Sequence, residues 1–329
     1  MPTPSTTRDV ADGGPLVTVI GESLVDIIDD PRRGTAGRKA HPGGSPLNVA
    51  VGTARLGLST SLVTHYDDDA CGRIIDQHLQ ANGVRPVLGG AAPTSTATAA
   101  LGPDGAATYA FDITWDINGA SLPALAAVEA SAHIHTGSIA TSLSPGNHAT
   151  FALVEAARDS ATVSYDPNCR PGISPDVAAA CKQAEEFAAA SDLVKASDED
   201  LRWLYPDRTP DESLAAWLEL GPALVALTRG AEGPVLLNRQ GRVDLPGESI
   251  DVADTVGAGD SFMAALISGL AQLNLLGAGA RPRLAALTAT ELHVLAGYAN
   301  RAAAITCSRA GANPPRTVEL GPLPPPLPA

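Results

Sequence analysis

The stretch Asp254-Thr255-Val256-Gly257-Ala258-Gly259-Asp260-Ser261-Phe262 decides how this chain is read. It sets two acids, two glycines and two hydroxyls at one junction. A strand-like run, Arg242-Val243-Asp244-Leu245, precedes it, and an apolar helical run from Phe262 to Ile267 follows. A glycine turn that opens a helix leaves main-chain N–H groups without partners and presents the positive end of the helix dipole. Such an arrangement binds anions, phosphate above all. An acid at its edge would repel the anion. Asp260 makes chemical sense there if it faces a hydroxyl and takes its proton, while the N–H groups of Gly257, Ala258 and Gly259 hold a transferring phosphoryl group. The simpler alternative is a capped helix after a tight turn, and the repeated pairing of acids with glycines argues against it.

At 329 residues the chain is long enough for one large domain or two small ones, and a hydrophobic content of 44% supplies a packed core. The net charge of −14 and the lack of any basic cluster argue against nucleic acid and anionic membrane as partners. Only Lys39, Lys182 and Lys195 are lysines. The start of the chain has no charged-then-apolar leader pattern, and no apolar run is long enough to cross a membrane. Cys71, Cys169, Cys181 and Cys307 are scattered without metal-ligand spacing, which fits reduced thiols in a cytoplasmic protein.

The periodicity predicts strands at 16–21, 24–29, 59–64 and 84–88, and helices at 45–57 and 70–79, the latter closed by Asn82-Gly83. Asp67-Asp68-Asp69 reads as a cap for that second helix. Residues 94–101 and 107–113 are rich in Thr, Tyr and Phe around Gly102-Pro103-Asp104-Gly105, which predicts a hairpin. With the strand at 24–29 it would form a small antiparallel sheet. From about residue 120 the rhythm becomes strand, helix, strand, with strands at 132–135, 162–165, 192–195 and 223–227. That alternation predicts a mostly parallel sheet covered by helices. A last helical run spans 285–306. Residues 1–14 and 321–329 are expected to be disordered tails, the second rich in proline.

A second stretch agrees with the first. Gly43-Gly44-Ser45-Pro46-Leu47-Asn48-Val49-Ala50-Val51-Gly52-Thr53-Ala54-Arg55-Leu56-Gly57 resembles the N-terminal signature of the ribokinase (PfkB) family of sugar kinases, and 254–262 resembles that family's C-terminal signature. The resemblance runs from about Val17 to Pro315. It implies a ribokinase-like α/β fold over residues 15–320, with a β lid from about 22–44 and 90–118. It implies an ATP-dependent enzyme that phosphorylates a primary hydroxyl of a small sugar, using Mg²⁺ and, in some members, K⁺. Asp260 would be the catalytic base, and Gly257, Ala258 and Gly259 the anion hole. A homodimer joined through the lid is a further expectation.

Asn48 offers a donor and acceptors that suit sugar hydroxyls, and Asp26 can accept from two adjacent ones. The resemblance gives Asp26, Gly43, Gly44 and Asn48 to the sugar. Tyr165-Asp166-Pro167-Asn168-Cys169-Arg170-Pro171 is similar to the D-P-N-x-R-P segment of fructokinases and 2-keto-3-deoxygluconate kinases. Arg170 would meet a phosphate or acidic substrate, and Asp166 and Asn168 would hold water on magnesium. A proline-braced loop without a ligand is the alternative. Lys195-Ala196-Ser197-Asp198-Glu199-Asp200 stands where many ribokinases carry N-x-x-E. Ser197 reads as a helix cap, with Asp200 as a candidate magnesium organiser. Thr228-Arg229-Gly230-Ala231-Glu232-Gly233 resembles the nucleotide loop, giving Thr228, Gly230 and Gly233 to the nucleotide and Asn300 to the adenine. A monovalent cation would take Asp254 and the carbonyls of Val256, Thr306, Arg309 and Gly311, although Pro315 replaces a serine of the family pattern. Asp254 as a simple turn cap is equally open. His135 either approaches the sugar or packs inside.

Gly21-Glu22-Ser23-Leu24-Val25-Asp26-Ile27, together with the 166–170 and 195–198 segments, resembles fructokinases more than ribokinase proper. The alternatives are 2-keto-3-deoxygluconate kinase, a ribose or nucleoside kinase, and a sugar-binding regulator on a kinase scaffold without turnover. Residues 111–115 are the candidates for selecting the sugar.

Overall fold

The structure is a computed structural model that describes residues 15–29, 38–101, 107–117 and 122–325. Its strands are β1 (Leu16–Ile20), β2 (Leu24–Asp29), β3 (Arg38–Gly43), β4 (Ser59–Thr64), β5 (Val84–Leu88), β6 (Ser95–Leu101), β7 (Ala107–Asp112), β8 (His133–Gly137), β9 (Thr162–Asp166), β10 (Leu193–Ser197), β11 (Leu224–Thr228), β12 (Val235–Asn238) and β13 (Gly241–Asp244). Nine of them form one sheet in the order β13-β12-β11-β10-β9-β8-β1-β4-β5. Every pairing from β5 to β11 is parallel, and β12 and β13 add an antiparallel edge.

The inner parallel strands are buried on both faces, which is why they read as short, nearly continuous apolar runs. Val17 and Val19 of β1 point into a core that contains Leu47, Phe262, Leu266 and Leu295. Ile20 points the other way, into a core with Ile134, Val163, Phe187 and Trp217. Helices cover both faces, as the strand–helix alternation requires.

The second sheet has the order β3-β2-β6-β7. It corresponds to the expected lid, with two differences. β2 pairs with β6 in parallel, so the sheet is mixed rather than antiparallel. β3 is an added edge strand, and Pro42 is tolerated in it because β2 is its only partner. The turn expected at 102–105 and the tail at 1–14 lie outside the described residues. The C-terminal tail is ordered at its start: Leu323 packs on the core and its N–H donates to Gln272 Oε1 at 2.8 Å. The last helical run is broken, ending one short helix at Ala285 and restarting at Ala289 under a capping box from Thr288 and Glu291.

One packing contact positions the site. The helix Ser45–Arg55 crosses the helix Ala258–Gln272 at Gly52, where an added Cβ would lie 2.6 Å from the Ala264 Cβ. Gly52 is fully enclosed there, so the two helices approach more closely than any side chain would allow. Gly52→Val should therefore destabilise the fold by about 1–3 kcal/mol through overpacking. Urea unfolding will show this as a lowered midpoint with an unchanged slope. A midpoint equal to wild type would mean that the helices have room to part.

Candidate active site

Two cavities of about 570 and 600 Å³ lie side by side beyond the carboxyl ends of the parallel strands, where open α/β sheets place their ligands. They share Thr228, Gly230, Thr255 and Gly259. Their common wall is thus the end of β11 and the start of the Ala258–Gln272 helix.

Asp260 stands at this wall, in the first turn of that helix. Its carboxylate is buried and held from the other end of the sequence. Ser45 Oγ donates to Oδ1 at 2.6 Å, and Asn48 Nδ2 donates to Oδ2 at 2.8 Å. Both donors lie on the first turns of the Ser45–Arg55 helix. Asn48 lines the same cavity as Asp26, and its amide is bonded to Asp260.

Gly257 caps the helix with φ of 76°, a left-handed conformation that suits glycine. A Cβ there would also strike Ala312 at 2.7 Å. The predicted anion hole needs one correction. The Ala258 N–H donates to the Thr255 carbonyl at 3.2 Å, closing the turn. The N–H groups of Gly257 and Gly259 have no acceptor among the described residues, and they remain the available donors.

On the lid side, Gly43 makes room for Asp26, whose Oδ2 would lie 2.2 Å from an added Cβ. Gly44 has φ of 106° and passes over the Glu22 carbonyl. Burial by the surrounding walls raises the Asp26 pKa, while His41 and Arg170 pull it back down. Phe111 and Ile113 line this cavity from the lid. Trp115 does not: it is fully buried, and its indole N–H donates to Thr150. His135 is likewise packed within the sheet, with Nδ1 on Ser164 Oγ at 2.9 Å.

The candidate magnesium residues are engaged by the protein itself. Asp200 Oδ2 accepts from the Ser197 N–H and hydroxyl, and its Oδ1 accepts from the Cys169 N–H. Asn168 Oδ1 and its carbonyl both accept from Arg170 Nη1. Asp166 Oδ2 forms an ion pair with Lys195 Nζ at 2.9 Å, and its Oδ1 accepts the Asn168 N–H at 3.2 Å. Asp166, Asn168 and Asp200 are thus positioned by protein donors, and all three line the cavity where they were expected to hold water on magnesium.

Asp254 straps two loops together. Its Oδ1 accepts the Val256 N–H at 3.1 Å and its Oδ2 the Gly311 N–H at 2.9 Å. These bonds hold its carboxyl below the usual range. They also tie the Val256 and Gly311 main chain, which carry two of the expected cation carbonyls, to the Asp254 carboxylate. The Thr306 carbonyl is less suited, because it accepts the Arg309 N–H. In the other cavity, Thr228, Gly230, Gly233 and Asn300 all line the wall, together with the apolar Ile250, Val252 and Phe262. Asn300 Nδ2 is bonded to the Pro246 carbonyl at 3.0 Å.

Sequence reasoning passed over three side chains at the cleft: Ser45, Lys195 and Glu22. Glu22 follows β1 and is 2% exposed, with Oε2 accepting the Ala140 N–H at 3.1 Å. A glutamate in a Gly-Glu-Ser step directly after a buried strand was the one available signal for it. Burial raises its pKa from 4.5 to about 7, against the lowering effects of its own N–H, Ser138, the Ala140 N–H and Arg170. Between those two values the folded protein keeps a proton that the unfolded chain has released. Stability from this group is therefore full below pH 4.5 and lost as pH rises through 7. Glu22→Gln removes the titration. Its stability relative to wild type should rise by about 2–3 kcal/mol between pH 5 and pH 8. A pH-independent difference in urea midpoints would contradict this.

The chain matches the model of the pfkB family carbohydrate kinases over residues 15–318. It is 36% identical over 273 residues to a fructokinase of Rhizobium leguminosarum, covering 79% of this chain and 81% of the relative. Its fold matches an uncharacterized sugar kinase from Pyrococcus horikoshii in complex with ATP, with a TM-score of 0.74, 26% identity, and 92% and 96% of the two chains covered. It also matches a double mutant of Vibrio cholerae fructokinase bound to fructose, ADP and potassium, with a TM-score of 0.76, 25% identity, and 94% and 98% covered. With its ribokinase-like sheet, its lid and its two joined cavities, the chain belongs to the pfkB family of carbohydrate kinases.

Proposed function

We propose that this sugar kinase is a fructokinase, transferring the terminal phosphoryl group of ATP to a primary hydroxyl of D-fructose. The observation that carries the transfer reading is the position of Asp260, whose carboxylate stands at the shared wall of the two cavities beside unpaired helix N–H groups. The sugar would occupy the cavity of Asp26 and Asn48, with Arg170 at its rim, and ATP that of Ile250, Phe262 and Asn300. The hydroxyl gives its proton to Asp260 as its oxygen forms the bond to phosphorus. The bond from phosphorus to the bridging oxygen breaks, and its electron pair leaves with ADP. The Gly257 and Gly259 N–H groups would stabilise charge on the transferring oxygens. The choice of fructose is supported by the fructokinase relatives and by the fructose and ADP held by the Vibrio cholerae structure.

Asp260→Asn keeps the shape of the side chain, and the Ser45 hydroxyl can turn to accept from the new amide. Turnover should fall by about 10²–10⁴-fold, the typical contribution of a general base. Sugar-dependent ADP release measures this, and near-normal turnover would remove Asp260 from the base role.

Asp26→Ala should lower kcat/KM for D-fructose at least about tenfold, because a charge-assisted hydrogen bond contributes roughly 1.5–3 kcal/mol. ATP affinity should stay within about twofold, the cavity being a separate one. D-Fructose and 2-keto-3-deoxygluconate run in parallel decide the substrate. A preference for the sugar acid would replace fructokinase with 2-keto-3-deoxygluconate kinase.

Asp254, with the carbonyls of Val256, Arg309 and Gly311, would hold a potassium ion beside the anion hole. Exchanging potassium for tetramethylammonium should then lower turnover severalfold. Equal rates in the two salts would leave Asp254 as a loop strap alone.

A further inference from the structure

A cation lies against the helix start. A Cβ added to Gly259 would lie 3.0 Å from Lys195 Nζ, so the ammonium sits against the first helical turn at the wall between the cavities. Lys195 is 4% exposed and lines the larger cavity. Among the described residues of that lining, Arg170 is the other lysine or arginine, and it is exposed and turned onto Asn168. Burial works against the charge on Lys195, but Asp166, then Asp200 and Asp260, hold it protonated with a raised pKa. Asp166, itself 1% exposed, is both its neutralising partner and the group that fixes its position.

A buried ammonium held in one place by a carboxylate is preorganised, since no solvent shell must reorganise when negative charge arrives. Lysine is a compact point charge that suits a phosphoryl oxygen.

We propose that Lys195 is a catalytic residue whose ammonium contacts the terminal phosphoryl group of ATP, completing a cradle with the Gly257 and Gly259 N–H groups. This rests on the reading of Asp260 as the base and of the shared wall as the place of transfer. No proton moves at Lys195. The bond made is from sugar oxygen to phosphorus, the bond broken is from phosphorus to the ADP oxygen, and the ammonium offsets charge on the non-bridging oxygens of the transferring phosphoryl group.

The alternative is that Lys195 exists to neutralise Asp166. Binding separates the two. The affinities of ADP and of the imido analogue of ATP are measured by calorimetry at saturating magnesium for wild type, Lys195→Met and the double variant Lys195→Met/Asp166→Asn. The double variant removes both charges, so it preserves folding where the single variant leaves a buried carboxylate unpaired. The expected result is at least a tenfold loss of affinity for the imido analogue in both variants, with ADP affinity within twofold of wild type. In the single variant, kcat with D-fructose should fall about 10²-fold or more, as for loss of one preorganised donor. Equal changes for the two nucleotides, or an analogue affinity restored in the double variant, would overturn the proposal. Asp260→Asn run in parallel keeps the readings distinct. It should lose turnover yet retain the analogue's advantage over ADP, and an active Asp260→Asn would reject the base without altering the Lys195 result.

Discussion

Two hydrogen bonds to one carboxylate organise this molecule. Ser45 and Asn48 reach Asp260 across sequence separations of 215 and 212 residues. They join the start of the lid-proximal helix to the start of the helix at the cavity wall. The same helix continues to Arg55, whose guanidinium donates to Asn313 Oδ1 and the Pro314 carbonyl. That loop in turn lies over Gly257 through Ala312. A single helix thus fixes the carboxylate, the turn beside it and the loop above it, and its close approach at Gly52 sets the spacing. Preorganisation of this kind is what phosphoryl transfer requires of a protein, because most of its contribution is position and electrostatics.

The floor of the cleft is a compact charge cluster. Burial raises the Asp166 pKa to about 6, and Lys195 is the main influence that draws it back. Asp200, tied to Ser197 and Cys169, pins the loop after β9 to the helix that follows β10. The ends of three adjacent parallel strands, β9, β10 and β11, therefore carry the polar groups that face the wall. Glu22 adds a fourth from the end of β1, held against Ala140 after β8. Parallel strands deliver this geometry because all their carboxyl ends open on one side of the sheet.

Much of this was legible in the sequence. The parallel strands announced themselves as short apolar runs, and the two glycine-rich stretches read as signatures meet in space through Ser45, Asn48 and Asp260. The lid was only half legible. β3 reads Arg-Lys-Ala-His-Pro-Gly, exposed from Arg38 to His41, with no alternation to mark it and a proline that argues against a strand. β12 has four residues, too few for a period to show. The pairing of β2 with β6 depends on tertiary contact and leaves no local trace. Side-chain partnerships were the least legible. The bond from Asn48 to Asp260 left no trace in the sequence, and Lys195 was read as the head of the 195–200 segment without a role of its own. Burial decides whether a lysine is a solvated surface charge or a fixed ammonium, and burial of a charged group is paid for by a partner that sequence order does not reveal.

The account stands on a hydroxyl meeting Asp260 at the wall between two ligands. A crystal structure with D-fructose and the imido analogue of ATP bound together tests this directly. The predicted result is a primary hydroxyl oxygen within hydrogen-bond distance of an Asp260 carboxylate oxygen, with the terminal phosphate against Gly257, Gly259 and Lys195. A sugar whose hydroxyls all lie beyond reach of Asp260, or a terminal phosphate turned away from that helix start, would contradict it.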